Sequence, residues 1–220
     1  MAEKTLEAKV KALETKVKAL ESQLTAVHDI QEIKRLQRTY GYYLDNRLWD
    51  DIVGLFSDNT ESLEISDSGV YLGKAGVERF FKGFLSGGGL PPGRGSLGTH
   101  MQLQGVVNLE PGGNTANGRW QCVILLGVPY HNELTAMVGF GVYEVEYIKE
   151  NGVWAFKKMH FHLIFRTPLH EGWVKTPVVY SMAGGTPDKP ATVYKPLPER
   201  YVVPFHYNNP VTDKEPHTTF

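Results

Sequence analysis

Cysteine is almost missing from this chain. Its single thiol, Cys122, excludes an internal disulfide and a cysteine-rich zinc site. Its place in the apolar run Gln121–Leu126 marks it as a buried, inert side chain. An excess of either charge is also missing. Lys and Arg number 23 against 24 Asp and Glu, for a net charge of −1, so nothing electrostatic favours nucleic acid or an anionic membrane. No apolar run reaches the length of a membrane span, and the start, Met-Ala-Glu-Lys, carries no apolar signal region. A soluble, cytoplasmic protein is expected, with neither a nucleic-acid nor a membrane partner. The glycine-rich stretch 87–98 lacks the Lys-Ser/Thr ending of a Walker loop. Gly139-Phe-Gly141 sits inside a strand pattern and reads as a sheet bend rather than a phosphate loop. No G-x-S-x-G supports a serine nucleophile.

What is present begins with a heptad. The chain has 220 residues, 41% of them apolar, which suits one domain with an appendage at either end. Over residues 3–30, Val10, Val17 and Leu24 take the a positions, and Leu6, Leu13, Leu20 and Val27 the d positions. Lys9 and Lys16 fall at g, and Glu7, Glu14 and Glu21 at e. A parallel pair of chains sets Lys9 beside Glu14 and Lys16 beside Glu21, whereas an antiparallel pair sets like charges together. Parallel self-association is therefore expected, and Val at a with Leu at d favours two strands. Ile30, Ile33, Leu36 and Tyr40 continue at spacings of three and four, which predicts one apolar stripe running on into the globular domain.

That helix is expected to end near Asp45-Asn46. A short helix follows over Asp50–Phe56, then a strand over Glu61–Ser66 and a third helix over Gly73–Leu85, with Val77, Phe80, Phe81 and Phe84 inward. Ser86–Gly98 is too rich in glycine for regular structure and reads as a mobile loop or lid. Four long strand patterns come next, over Thr99–Leu109, Gly118–Gly127, Leu134–Lys149 and Val153–Arg166, with turns at Pro111–Asn114 and Asn151-Gly152. Helices followed by a long meander make an α+β fold. Beyond it, prolines recur from Pro168 to Pro216 among Tyr180, Tyr194, Tyr201, Phe205 and Tyr207. This composition predicts an extended arm lying on the surface of a neighbouring subunit. The expected organisation is a coiled-coil helix over 1–29, a domain over 30–173 and the arm over 174–220.

Chemistry concentrates in Tyr40-Gly-Tyr-Tyr-Leu-Asp45, Trp49-Asp50 and Thr99-His100-Met101. Imidazole changes charge near neutral pH and can act as acid or base. A facing carboxylate fixes its tautomer, and a phenol can hydrogen-bond a developing oxyanion. On an ideal helix Tyr40 and Asp45 point about 140° apart, so they meet only if the helix end unwinds, and Tyr42 is a competing neighbour of Asp45. His160-Phe-His162 puts two imidazoles on one strand face. With His100 or Asp45 they offer nitrogen and oxygen ligands, but Lys157-Lys158 disfavours a cation, and no metal site is assigned.

These motifs, Tyr-x4-Asp-x3-Trp-Asp and His-Met, with Gly118-Arg119-Trp120 opening a strand, resemble the SnoaL-like family of the nuclear transport factor 2-like superfamily over about residues 20–173. The likeness is strongest to the bile acid 7-alpha-dehydratases and more distant to scytalone dehydratase. The resemblance implies a cone-shaped, curved antiparallel sheet wrapped around helices, a trimer, and metal-free, cofactor-free catalysis by Tyr40, Asp45 and His100. Trimer and heptad disagree, so homotrimer and homodimer both stand. The family's further acidic residue falls here at Ile124. Its last-strand Arg falls at Leu163, and Arg166 replaces it only if the strand bulges. A bile acid substrate is therefore disfavoured. Tyr42, Tyr43, Trp49, Phe84, His162 and Arg166 are expected to bind an aromatic or polycyclic substrate. The expected reaction is loss of water, or of formaldehyde as in lyases of lignin-derived diarylpropane diols. Isomerisation or cyclisation, and a non-catalytic binding or assembly module, are the alternatives.

Overall fold

A computed structural model describes residues 2–88, 95–199 and 201–218. Helix α1 (Ala2–Asp45) is 44 residues long, or about 66 Å at 1.5 Å per residue. Its first half stands clear of everything else. Leu6, Val10, Leu13, Val17, Leu20, Leu24 and Val27 are each between 46% and 70% exposed. Its second half buries Ile33, Gln37, Tyr40 and Leu44. The single continuous stripe expected from the spacing is not what forms. On an ideal helix Leu20 and Ile33, or Val27 and Tyr40, face directions about 140° apart. The heptad seam and the core-facing stripe therefore lie on different sides of one helix.

Helix α2 (Trp49–Gly54) drops Ile52 into the core. Helix α3 (Gly73–Glu78) continues through a π-helical segment, Arg79–Leu85, which aims Phe80 and Phe81 inward. Strands β1 (Ser62–Ile65), β2 (Val70–Leu72), β3 (Leu97–Leu109), β4 (Thr115–Tyr130), β5 (Glu133–Glu150) and β6 (Val153–Pro168) make one curved sheet in the order β2-β1-β6-β5-β4-β3. The four long strands form the expected antiparallel meander. Asn151 and Gly152 turn with positive φ, as a two-residue hairpin requires. His131 and Asn132 do the same between β4 and β5, at a turn whose residues carry no Asn-Gly signature. The sheet is not wholly antiparallel, because β1 joins β6 in parallel. Of the loop expected over 86–98, Ser86–Gly88 is helical and Leu97-Gly98 open β3, which corrects its ends, and residues 89–94 lie outside the described ones.

Side chains alternate across the sheet. Trp120, Tyr143 and Phe161 face the helices and are at most 2% exposed. With Tyr40, Phe56, Phe81 and Phe156 they form an aromatic core. The opposite face carries the row Arg119, Glu144, His160 and Glu64, paired strand to strand. The C-terminal arm lies across this outer face of its own sheet, which corrects the expectation of a neighbouring subunit. Thr192 donates to both oxygens of Glu64 at 2.6 and 2.8 Å, Leu197 N–H to the Ile164 carbonyl at 2.8 Å, and Arg119 to the Val203 and Pro204 carbonyls. His206 Nδ1 meets Glu144 at 2.9 Å, and the Phe205 ring covers the Arg119 guanidinium at 4.1 Å. Backbone that proline bars from a ladder is thus tied down by polar side chains already standing on the sheet.

Candidate active site

Helix α1 meets the edge strand β3 along Gln37, Gly41 and Asp45, one residue per turn. Gly41 makes the approach possible, since a Cβ there would stand 3.0 Å from the His100 carbonyl oxygen and 3.1 Å from Gln102 Cγ. Above it the helix stops. Arg47 takes a left-handed φ of 57°, Leu48 N–H bonds the Tyr43 carbonyl at 3.0 Å, and Arg47 N–H the Leu44 carbonyl at 3.2 Å. This is a Schellman-type end, and it leaves Asp45 in the last helical turn over β3.

Three hydrogen bonds converge on Asp45. Thr99 Oγ1 donates to Oδ2 at 3.0 Å, His100 N–H donates to Oδ1 at 2.7 Å, and His100 Nδ1 lies 3.1 Å from the same oxygen. A carboxylate accepts only, so Nδ1 carries the proton in this pair and Nε2 is left bare. Among the described residues Nε2 has no hydrogen-bond partner. The two side chains are 20% and 18% exposed, so the pair sits at the rim of the core rather than within it. Both oxygens of Asp45 are engaged, and the atom of the pair without a hydrogen bond among the described residues is His100 Nε2.

Beneath the pair lies a sealed polar seam. Tyr40 is 1% exposed and set edge-on to Tyr143 at 5.9 Å and to Phe156 at 5.6 Å. Its hydroxyl pairs with Tyr143 instead of Asp45, because its side of the helix faces the core while that of Asp45 faces β3. Burial holds the Tyr40 phenol well above its ordinary pKa, and the Asp45 charge adds to the rise. Burial, again with Asp45 behind it, pushes the Cys122 thiol up to about 12, so this thiol is not a nucleophile. Gln102 Nε2 donates to the His100 carbonyl at 3.2 Å, Gln37 Nε2 to Gln102 Oε1 at 2.8 Å, Tyr147 to Gln37 Oε1 at 2.8 Å, and Trp120 Nε1 to the Tyr147 oxygen at 2.9 Å. This chain of donors fixes helix, edge strand and central strands to one another.

The expected site residues divide. Asp45 and His100 touch, and Tyr40 lies within reach of the Asp45 field. Tyr43 and Trp49 are half-buried against the core, Trp49 stacked on Phe81 at 6.4 Å. Phe84 lines an open groove of about 560 Å³ with Arg79, Gly83, Gly184 and Gly185, which neither Asp45 nor His100 lines. Tyr42 is 72% exposed on the solvent side of α1 and is not brought to the pair. His162 stacks on His160 at 3.7 Å on the outer face beneath the arm, where burial lowers the two imidazoles to about 3 and about 4. It too is separated from the pair, by the sheet itself. Among the described residues no three His, Cys, Asp or Glu side chains converge as metal ligands.

Arg166 arrives by the bulge its position demanded. The β5–β6 register slips by one residue at Ile164, so Phe140 faces Phe165 and Gly141 faces Leu163. The slip returns Arg166 to the face of Leu163, opposite Gly139. The paired row His100, Ile124, Gly139, Arg166 then runs across four strands on the helix-bearing face. Sequence reasoning missed Thr99, Gln102, Gln37, Gly41 and Tyr143. The i, i+4 spacing of Gln37, Gly41 and Asp45 was the available signal, and it was polar where helical stripes are sought as apolar.

A six-stranded curved sheet packed over helices, with a long N-terminal helix, is a nuclear transport factor 2-like architecture. The chain belongs to the SnoaL-like family, whose domain model matches residues 25–160. A scytalone dehydratase-like protein from Novosphingobium aromaticivorans DSM 12444 shares the fold with a TM-score of 0.56 and 18% identity, covering 72% of this chain and 99% of that one. A hexachlorocyclohexane dehydrochlorinase from Novosphingobium barchaimii LL02 gives a TM-score of 0.56 and 19% identity, over 67% and 94% of the two chains. An NTF2-like protein from Novosphingobium aromaticivorans gives 0.52 and 17%, over 66% and 88%. Comparison by sequence with curated proteins finds no match. No helix among the described residues is long and apolar enough to cross a membrane.

Proposed function

We propose that this protein is a cofactor-independent lyase that removes water, or formaldehyde and water, from a hydroxylated aromatic or polycyclic small molecule. The observation that carries the reading is the Asp45–His100 pair, with Nδ1 held by the carboxylate and Nε2 left free. In a dehydration Nε2 takes a proton from carbon, the neighbouring C–O bond breaks as the double bond forms, and the imidazolium returns that proton to the departing hydroxyl. In the formaldehyde reaction Nε2 takes the proton of a hydroxymethyl O–H. The carbon–carbon bond then breaks to give formaldehyde, its electron pair forms the alkene and expels the adjacent hydroxyl, and the imidazolium protonates that hydroxyl to water. One histidine serves both ends of either step, so the acidic side chain missing at Ile124 is not required. Tyr40, kept protonated by burial and paired with Tyr143, supports the pair from beneath in this reading and does not touch the leaving oxygen. Tyr43 and Trp49 supply aromatic surface, while Phe84 lines a separate groove. Neighbours described as dehydratase-like and as a dehydrochlorinase, both eliminations, support the class.

The test is mass spectrometry of products from hydroxylated diaryl and polycyclic compounds incubated with the purified protein alone. Products lighter by one water indicate dehydration, and alkenes with trapped formaldehyde indicate the carbon–carbon reaction. A broad panel without turnover by the folded protein discards the lyase in favour of a binding module.

The reading includes self-association. An isolated helix exposing seven Val and Leu side chains has no stabilising partner within its own chain. A parallel second copy buries that seam with Lys9 beside Glu14 and Lys16 beside Glu21. Beyond Val27 the seam positions pass to Gln31, Lys34 and Arg38, so the paired stretch ends where the domain begins. Sedimentation equilibrium is expected to show a dimer at micromolar concentration and dissociation of Leu13→Glu/Leu20→Glu. A monomeric wild type refutes this seam, and a trimer refutes two strands.

A further inference from the structure

Three charged side chains are buried among the described residues, and two are matched. Asp29 holds Lys149 Nζ at 2.7 Å and Trp154 Nε1 at 3.0 Å, and Glu64 holds the backbone N–H and hydroxyl of Thr192. Arg166 is 5% exposed and, among the described residues, forms no ion pair and no side-chain hydrogen bond. Its Nε is sealed from solvent without an acceptor, and its guanidinium lies 4.4 Å over the ring of Tyr180. Asp67, in the turn after β1, is spent on the Ser181 hydroxyl and the Met182 amide. A guanidinium taken out of water without a counter-charge is costly, and it persists where an anion completes it.

The position of Arg166 is specific. Arg166 shares the cross-strand row with His100, and the residue next to it in the row is Gly139, which places no side chain between Arg166 and Ile124. A Cβ at Gly139 would stand 3.4 Å from Ile124 Cβ, in contact with it. Four adjacent strands span about 14 Å between the first and the last. A molecule that reaches both side chains across that distance carries its acid group and its hydroxylated carbon at opposite ends of a ring. Planar, delocalised and stacked, the guanidinium presents the fork that a carboxylate fills with two bonds.

We propose that Arg166, braced by Tyr180, is an anion subsite, and that the substrate is an aryl carboxylate whose acid group docks there while its hydroxylated carbon reaches His100. This rests on the lyase reading for its orientation, but the binding site stands or falls separately. The test is isothermal titration of the full chain with benzoate, cinnamate and 2-naphthoate, each beside its primary amide. At least one acid is expected to bind about tenfold or more tightly than its amide, as an added charged hydrogen bond gives. Arg166→Gln is expected to abolish that preference, Arg166→Lys to keep part of it, and His100→Ala to leave it intact. Equal binding of acids and amides, no binding of any acid, or a preference that survives Arg166→Gln each overturns the subsite. Loss of turnover in His100→Ala with an undiminished preference for acids separates the chemistry from the docking. A preference for acids in a protein that turns over nothing keeps the subsite and discards the lyase.

Discussion

His100→Ala is expected to lower kcat/KM by about 10³-fold, within the roughly 10²–10⁴-fold that a positioned acid–base group contributes. The fold should hardly notice. The side chain is 20% exposed and makes a single bond, to Asp45, while the backbone N–H that also reaches Asp45 survives the substitution. Asp45→Asn tests the other half of the pair. The amide keeps one acceptor oxygen but turns an NH2 either towards Thr99 Oγ1 or towards the two His100 donors. It also removes the charge that favours the Nδ1–H tautomer. A loss approaching that of His100→Ala follows from the misplaced proton alone. The double variant discriminates most sharply. If Asp45 acts only through His100, then Asp45→Asn added to His100→Ala costs nothing further, since groups acting as a unit are not additive. Turnover by Asp45→Asn at the wild-type rate, or losses that multiply in the double variant, would remove the pair from the mechanism. Circular dichroism on each variant guards against unfolding, which would imitate a catalytic loss.

The reach of sequence reasoning follows the physics of each element. Helix α1 ends at Asp45 as its spacing indicates, and the four long strands fall close to their alternating patterns, because burial on one face writes itself into every second residue. The pairing of Asp45 with His100 was legible only through the resemblance, since residues so far apart in the chain carry no common periodicity. What escaped was set by geometry that composition does not record. The slip at Ile164 was the condition the resemblance set on Arg166, but its presence could not be read from the sequence, because no residue type announces a bulge. The rotation between the heptad seam and the core stripe is visible only when angles are accumulated along the helix. Tyr42 and Tyr40 look alike in sequence, yet one is 72% exposed and the other 1%. The arm was recognisable as extended from its prolines, but its destination depended on Glu64, Glu144 and Arg119 standing in one row, which is a property of register.

Trp120→Ala is expected to destabilise the fold by about 3–5 kcal/mol, the usual cost of emptying a large aromatic site in a core. For a chain of this size that corresponds to a fall in Tm on the order of 10 °C. The indole is 1% exposed and lies over Gly105, where an added Cβ would come within 2.1 Å of it, so no neighbour stands ready to fill the space. Its loss also removes the donor at the head of the chain Trp120, Tyr147, Gln37, Gln102. That chain ends on the His100 carbonyl and is what holds helix α1 against strand β3. Catalysis should therefore fall at temperatures where the protein is still folded, because Asp45 rides on the helix and His100 on the strand. Gln37→Leu separates packing from polarity. It keeps most of the volume but leaves the Tyr147 O–H without its acceptor and Gln102 Oε1 without its donor, at about 1–3 kcal/mol apiece. Trp120→Phe keeps a ring over Gly105 and gives up only the donor, so it should lie between wild type and alanine in both Tm and rate. If instead Trp120→Ala lowers Tm while kcat/KM, measured well below the transition, stays at the wild-type value, then the polar chain is packing alone and the alignment of Asp45 with His100 is set by Gly41 and the helix end.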